Sequence, residues 1–140
     1  MSEETFEGVE RGDGWSVANL DDLGAGPGFR KIRPALGVTA FGVNALVFPP
    51  NYEGPAHYHD EQDELYFVHR GTATFEFDGD EHQVGEGGLV HVESTTHRRV
   101  SNRTDDDLVV FIVGGKGGYV ERDGQLVSAD DLAKRQGLSR

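Results

Sequence analysis

The sequence contains no cysteine. That absence excludes a disulfide framework, a thiolate nucleophile and any cysteine-ligated zinc. Lysine is scarce, with only Lys31, Lys116 and Lys134, and 13 basic side chains face 25 acidic ones for a net charge of −12. A field of that sign repels phosphate backbones and anionic lipids, which argues against nucleic acid and membrane surfaces as partners. Long hydrophobic runs are missing too. The longest is Leu108 to Val113, far short of the roughly 20 residues that span a bilayer. The first residues, Met1-Ser2-Glu3-Glu4, are acidic where a secretory signal is basic. The expectation is a soluble, cytoplasmic protein.

What is present suits one folded domain. A chain of 140 residues is close to the usual size of a single unit. Its 15 Val, 10 Leu, 8 Phe and 2 Ile are enough for a modest core. Its 20 Gly are about twice the usual share of roughly 7%, which argues for many tight turns and against a helical bundle. The Asp-rich, Lys-poor and Ile-poor composition resembles that of proteins from salt-loving archaea, whose solvated carboxylates keep them soluble in concentrated salt.

Along the chain, residues 1–28 read as an N-terminal arm or edge strand that ends in the break Gly24-Ala25-Gly26-Pro27-Gly28. Residues 29–127 carry short apolar runs of strand length: Gly37–Phe48, Glu64–His69, Thr72–Phe77, Glu81–Val84, Leu89–Val92, Arg98–Asn102 and Leu108–Val113. Turn signals separate them, the strongest being the hairpin pair Asp78-Gly79. This spacing predicts an all-β sandwich or barrel. Residues 128–140 predict a short C-terminal helix, capped by Ser128, with Asp130 and Asp131 in its first turn and Gly137 as its stop.

One segment is dense in potential ligands: His57-Tyr58-His59-Asp60-Glu61-Gln62-Asp63-Glu64. On a strand, residues i and i+2 share a face, so His57 and His59 present two imidazoles together. Glu64 opens the next β run and completes a 2-His-1-carboxylate face when it folds back. Such a face with open positions suits one divalent ion (Fe, Mn, Zn, Ni or Co) and leaves room for water, oxygen or a chelating small-molecule substrate.

With Gly71, these residues form the pattern His57-x-His59-x4-Glu64-x6-Gly71, which resembles the first signature motif of the cupin superfamily. The glycine that normally opens that motif is Asn51 here, behind the turn Pro49-Pro50. The second cupin motif aligns from Gly87 to Asn102, with Glu93 standing for its proline, Thr95 for its second glycine and Arg98 for its ligand histidine. The resemblance covers roughly residues 36–113. It implies a small double-stranded β-helix, or jelly-roll barrel, that is usually dimeric and holds a metal in its mouth.

The second motif leaves two arrangements open. In the register set by Gly87 and Asn102, Arg98 points inward with Val100 and Asn102, and His97 points outward. A bulge at Ser94-Thr95-Thr96 would instead turn His97 toward the metal as a fourth ligand. In the first arrangement Arg98 is a fixed cation able to clamp a carboxylate or phosphate. Tyr66 and Asn102 are the further candidates for substrate contact, Tyr66 because it shares the parity of Glu64. Leu65 and Phe67 face the other way yet are apolar, which predicts a homodimer packed on that face. Asp60, Glu61 and Asp63 read as solvated loop carboxylates, and His69, His82 and His91 as strand residues. The glycine-rich stretch 114–118 lacks the ending and the following helix of a phosphate loop.

The functional expectation is a metal-binding cupin acting on a small oxygenated substrate, as a dioxygenase or as an isomerase or lyase. Glu64 would serve as ligand or, alternatively, as catalytic base. The competing expectation is a non-catalytic module that binds a sugar or small acid.

Overall fold

In the computed structural model, residues 7–121 and 123–138 are described. Thirteen strands and two α-helices follow in chain order: β1 (Glu10–Gly12), β2 (Trp15–Val17), β3 (Gly28–Arg30), α1 (Ile32–Leu36), β4 (Gly42–Phe48), β5 (Tyr52–Glu53), β6 (His57–His59), β7 (Asp63–Arg70), β8 (Ala73–Phe77), β9 (Asp80–Val84), β10 (Leu89–Val92), β11 (Arg99–Asn102), β12 (Leu108–Gly115), β13 (Gly124–Leu126) and α2 (Ala129–Leu138). A 3₁₀ turn at Leu20–Leu23 joins β2 to β3. One sheet has the order β10-β7-β12-β4-β3 and the second β5-β11-β8-β9, while β13 pairs with β6 and β1 with β2. Every pairing is antiparallel. This is the expected all-β jelly roll with a short C-terminal helix.

The core lies between the two larger sheets. Alternation on β7 puts Glu64, Tyr66 and Val68 inside and leaves Leu65 and Phe67 outside. Leu46, Phe48, Phe75, Val100, Leu108 and Val110 pack with Tyr66 and Val68 into one cluster. Their burial removes apolar surface from water, at about 25 cal/mol for each Å², and is the main force closing the sheets.

The motif turns have physical explanations. Gly71 has φ 87°, and a Cβ there would lie 2.6 Å from the Asp107 carbonyl oxygen, so a larger residue is excluded. Asn51, standing where the motif has glycine, adopts φ 55°, a left-handed conformation that asparagine tolerates better than most residues.

Several elements depart from the sequence expectation. Residues 10–17 form a hairpin rather than a loose arm; Arg11 donates to the Ala35 carbonyl, and Ser16 Oγ donates to the Leu36 carbonyl at 2.8 Å. Residues 1–6 lie outside the described residues. The expected strand from Gly37 begins only at Gly42, because α1 precedes it and Gly37, at φ 71°, caps that helix. Gly137 does not end α2, which runs to Leu138. Ser128 does cap it, exchanging hydrogen bonds with Asp131.

Candidate metal centre

Strand β6 supplies both histidines. His57 bridges to Arg98 through two backbone hydrogen bonds, its N–H to the Arg98 carbonyl at 2.8 Å and the Arg98 N–H back at 2.9 Å. On its other edge β6 pairs with β13, which puts Gly124 opposite His59. A Cβ at Gly124 would touch the His59 ring at 3.4 Å, so the tail packs closely over this imidazole.

The His57, His59 and Glu64 donor atoms lie within 4.8 Å of one another. Glu64 Oε1 is 3.2 Å from His59 Nε2 and 3.6 Å from His57 Nε2. Tyr66 donates its hydroxyl proton to the same oxygen at 2.6 Å, and Arg98 Nη2 donates at 3.0 Å. Burial pushes the Glu64 pKa up, but the two imidazoles and the Tyr66 hydroxyl outweigh it and hold the carboxyl well below the usual carboxylate range. Tyr66 moves the other way: burial and then the Glu64 charge push its phenol up, so it remains a donor.

The structure brings Arg98, and not His97, to this cluster. Arg98 is 1% exposed. Its Nη1 donates to the Ser94 and Thr96 carbonyls at 3.0 and 2.6 Å, and its Nε reaches the Tyr66 hydroxyl at 3.4 Å. His97 is exposed, and its ring stacks on Tyr58 with centroids 4.7 Å apart. No bulge turns it inward. The part expected of Arg98 also needs correction. Its guanidinium is taken up by Glu64, Tyr66 and two carbonyls, and it does not line the cavity that opens above the cluster. Asn102 is likewise away from that cavity. Its Nδ2 donates to the Pro49 and Asp106 carbonyls at 2.9 and 2.7 Å, and its Oδ1 accepts from Thr104, so it braces a turn. Tyr66 does line the cavity.

Two residues to which the sequence reading gave no role complete the centre. Gln62 Nε2 lies 3.1 Å from His59 Nδ1, and Asp123 Oδ2 lies 3.7 Å from the same nitrogen. The Asp123 carboxylate also accepts the backbone N–H groups of Glu61 and Gln62, which fixes the turn between β6 and β7. Among the described residues, the buried side-chain atoms without a hydrogen-bond partner are His59 Nε2 and Gln62 Oε1.

These two orphans have one explanation. Asp123 is an acceptor, so a proton on His59 Nδ1 is favoured beside it. Rotating the Gln62 amide by half a turn gives Nδ1–H a second acceptor. His59 Nε2 then carries a lone pair 3.2 Å from Glu64 Oε1. Two such atoms that close need a positive charge between them, either the proton by which the imidazole otherwise holds Glu64 or a metal ion in its place. The donor set therefore fits a divalent ion held by His57, His59 and Glu64, with the tautomer of His59 set from behind.

A cavity of about 860 Å³ opens over this cluster, walled by β3, the inner face of β4, Tyr119, Val120 and residues 123–126. Comparison with known proteins identifies the framework. The family model described as "Cupin domain" matches residues 45–114, half of the chain. The chain belongs to the cupin family.

Solved cupins share the fold at low identity. A cupin protein from Bacteroides fragilis is 20% identical, with a TM-score of 0.61, covering 70% of this chain and 84% of its own. A sugar phosphate isomerase of the cupin superfamily from Silicibacter pomeroyi is 29% identical, with a TM-score of 0.54, covering 74% of this chain and 60% of its own. A DMSP lyase from Ruegeria pomeroyi is 20% identical, with a TM-score of 0.55, covering 63% of this chain and 43% of its own. No curated protein matches the chain. Cupins commonly bind a metal, and in this cupin His57, His59 and Glu64 are the residues gathered where one would sit. Among the described residues, no helix is long and apolar enough to cross a membrane.

Proposed function

We propose that this cupin is a metal-dependent enzyme acting on a small oxygenated substrate by isomerase- or lyase-type chemistry. The observation that carries the reading is the orphaned His59 Nε2 beside the Glu64 carboxylate, under a cavity of about 860 Å³. His57, His59 and Glu64 hold the ion, which is iron, manganese, zinc, nickel or cobalt. When bound, it supplies Lewis acidity at a substrate oxygen. Glu64 acts as ligand, its Oε1 set toward the two imidazoles by hydrogen bonds from Tyr66 and Arg98. Tyr66 fixes that carboxylate and lines the cavity. The similarity to a sugar phosphate isomerase at 29% identity favours isomerisation over oxygen chemistry.

A non-catalytic binding module is the competing reading, and one observation favours it. The Arg98 guanidinium satisfies Glu64 without any ion. Metal analysis of the purified protein, followed by a screen of small hydroxy-carbonyl compounds for isomerisation and for oxygen uptake, decides among these readings. Stoichiometric metal in the native protein that disappears in the His57→Ala/His59→Ala double variant is the expected result. Full occupancy in that variant would sink the site. Oxygen uptake would move the assignment to a dioxygenase, and tight ligand binding without turnover would move it to the module.

A further inference from the structure

Among the described residues, three arginines pair with acids. Arg98 meets Glu64, Arg99 meets Glu53, Glu76 and Asp131, and Arg103 meets Glu81. Arg30 is different. It is 7% exposed, and its Nη2 donates to the Gly26 carbonyl at 2.6 Å. No carboxylate of the described residues pairs with it, on a chain that carries 25 acidic side chains. The guanidinium lies against Gly24, where a Cβ would meet its Cδ and Nη1 at 3.0 Å, so the glycine makes room for it. Arg33, in α1, likewise pairs with no carboxylate of the described residues, and its guanidinium carbon sits 4.1 Å from the centroid of the Tyr119 ring.

Both arginines line the cavity above the metal centre. β3 is the last strand of its sheet, and the cavity wraps that open edge. Phe29 enters from the face it shares with Leu46, and Arg30 from the opposite face. The lining carboxylates do not balance them. Glu64 is neutralised by Arg98, and Asp123 is bound to backbone N–H groups. A buried guanidinium without a counter-charge is costly to keep from water. An anion arriving with the ligand removes that cost.

We infer that the cavity takes an anionic substrate, with a phosphate or carboxylate held by Arg30 and Arg33 while its oxygenated end reaches His57, His59 and Glu64. The inference rests on the metal-dependent reading for the second contact and on the arginines alone for the first. Substrates lacking a negative charge are therefore discriminated against, although the protein as a whole carries −12.

The test titrates inorganic phosphate, acetate and erythritol by calorimetry into the native protein and into protein stripped of metal by chelation. The expected result is that an anion binds to both preparations and erythritol binds far more weakly. Phosphate binding above acetate would indicate a phosphate ester as substrate, and the reverse a carboxylic acid. In the Arg30→Gln/Arg33→Gln variant anion affinity should fall at least about tenfold, as for loss of a charge-assisted hydrogen bond, while metal content is retained. Arg30→Lys should recover part of the loss, and Arg33→Gln alone serves if the double variant does not fold. Unchanged anion affinity in these variants, or erythritol binding as tightly as the anions, overturns the inference. A native protein that holds no metal yet shows the arginine-dependent anion binding would remove the metal-dependent reading and leave this site standing.

Discussion

At the scale of single residues, Glu64 and Arg98 form a buried ion pair at 3.0 Å. Truncating Arg98 to Ala leaves a buried carboxylate facing two imidazoles and a phenol, a change of the kind that typically costs about 3–5 kcal/mol. Urea unfolding at neutral pH should show a loss of that size, reduced when a saturating divalent ion gives Glu64 another positive partner. Arg98→His should act in the opposite sense on the metal. Residue 98 sits directly across from His57, so an imidazole there adds a donor, and metal affinity measured by chelator competition should rise. Behind His59, Gln62→Leu and Asp123→Asn should each lower metal affinity by about 10–100-fold, as losses of outer hydrogen bonds to ligand histidines do. Nitrogen-15 shifts of the His59 ring should report the Nδ1–H tautomer in the native protein and a mixture in the variants. The sequence disclosed these residues unequally. His57, His59 and Glu64 are close in the chain, and strand parity brings them together. The inward direction of Arg98 follows from the same parity, but parity gives a direction and not a partner, so its engagement with Glu64 and two carbonyls is a fact of tertiary packing. Asp123 is far from His59 in sequence, and no local spacing connects them.

Among the elements, α2 is tied to the barrel by Tyr52, whose hydroxyl donates to the Lys134 carbonyl at 2.6 Å, by Glu53 at 3.1 Å from Lys134 Nζ, and by the buried carboxylate of Asp131. Asp131 accepts the Ala56 N–H at 2.9 Å and the Ser128 hydroxyl at 2.7 Å, and it lies 3.4 Å from Arg99. Burial pushes its pKa up, but these hydrogen bonds and the charges of Arg99 and Lys134 outweigh that and lower it. A carboxyl whose pKa is lower in the folded state stabilises the fold above its unfolded value and loses that contribution as pH falls through its folded value. Hydrogen exchange of residues 129–138 should therefore accelerate as pH drops below the ordinary carboxylate range, relative to β7 and β12. Asp131→Asn should show faster exchange already at neutral pH and little further acid dependence in this helix. The cap at Ser128 was visible in the sequence because its partners are three residues away. Helix α1 was not, because Pro34 reads as a breaker. It sits at the third position of that helix, within the first turn, where a missing N–H breaks no intrahelical hydrogen bond. The strands β5 and β13 are too short to carry a period of their own and exist only because β11 and β6 lie beside them.

For the whole molecule, the outer face of the five-stranded sheet is the feature that most needs a partner. Leu65, Phe67, Leu89 and Val113 are all at least 38% exposed, and the register places Phe67 opposite Leu89 and Leu65 opposite Val113. A homodimer through this face should bury on the order of 1,200 Å² or more. Sizing at micromolar concentration should give a dimer, with Phe67→Asp/Leu89→Asp giving a folded monomer; a native monomer at both low and high salt would count against it. The acidic composition leads to a separate expectation. Self-repulsion among −12 net charges is strongest at low ionic strength, where screening is weak. The melting temperature should climb as KCl goes from tens of millimolar to molar, and a flat profile would mark an ordinary acidic surface.

The sheet order also sets a timetable for synthesis. β12 lies between β7 and β4 in the five-stranded sheet, yet it follows both in the chain by tens of residues. Until residues 108–115 are available, β4 and β7 have the edges that β12 will cover unpaired, and such edges invite pairing with other chains. Glu64 is on the page of the genetic message early, but its surroundings wait for Arg98, and the turn beside His59 waits for Asp123. A nascent chain therefore completes its barrel before its centre, and an ion captured earlier would meet only a fragment of its binding site.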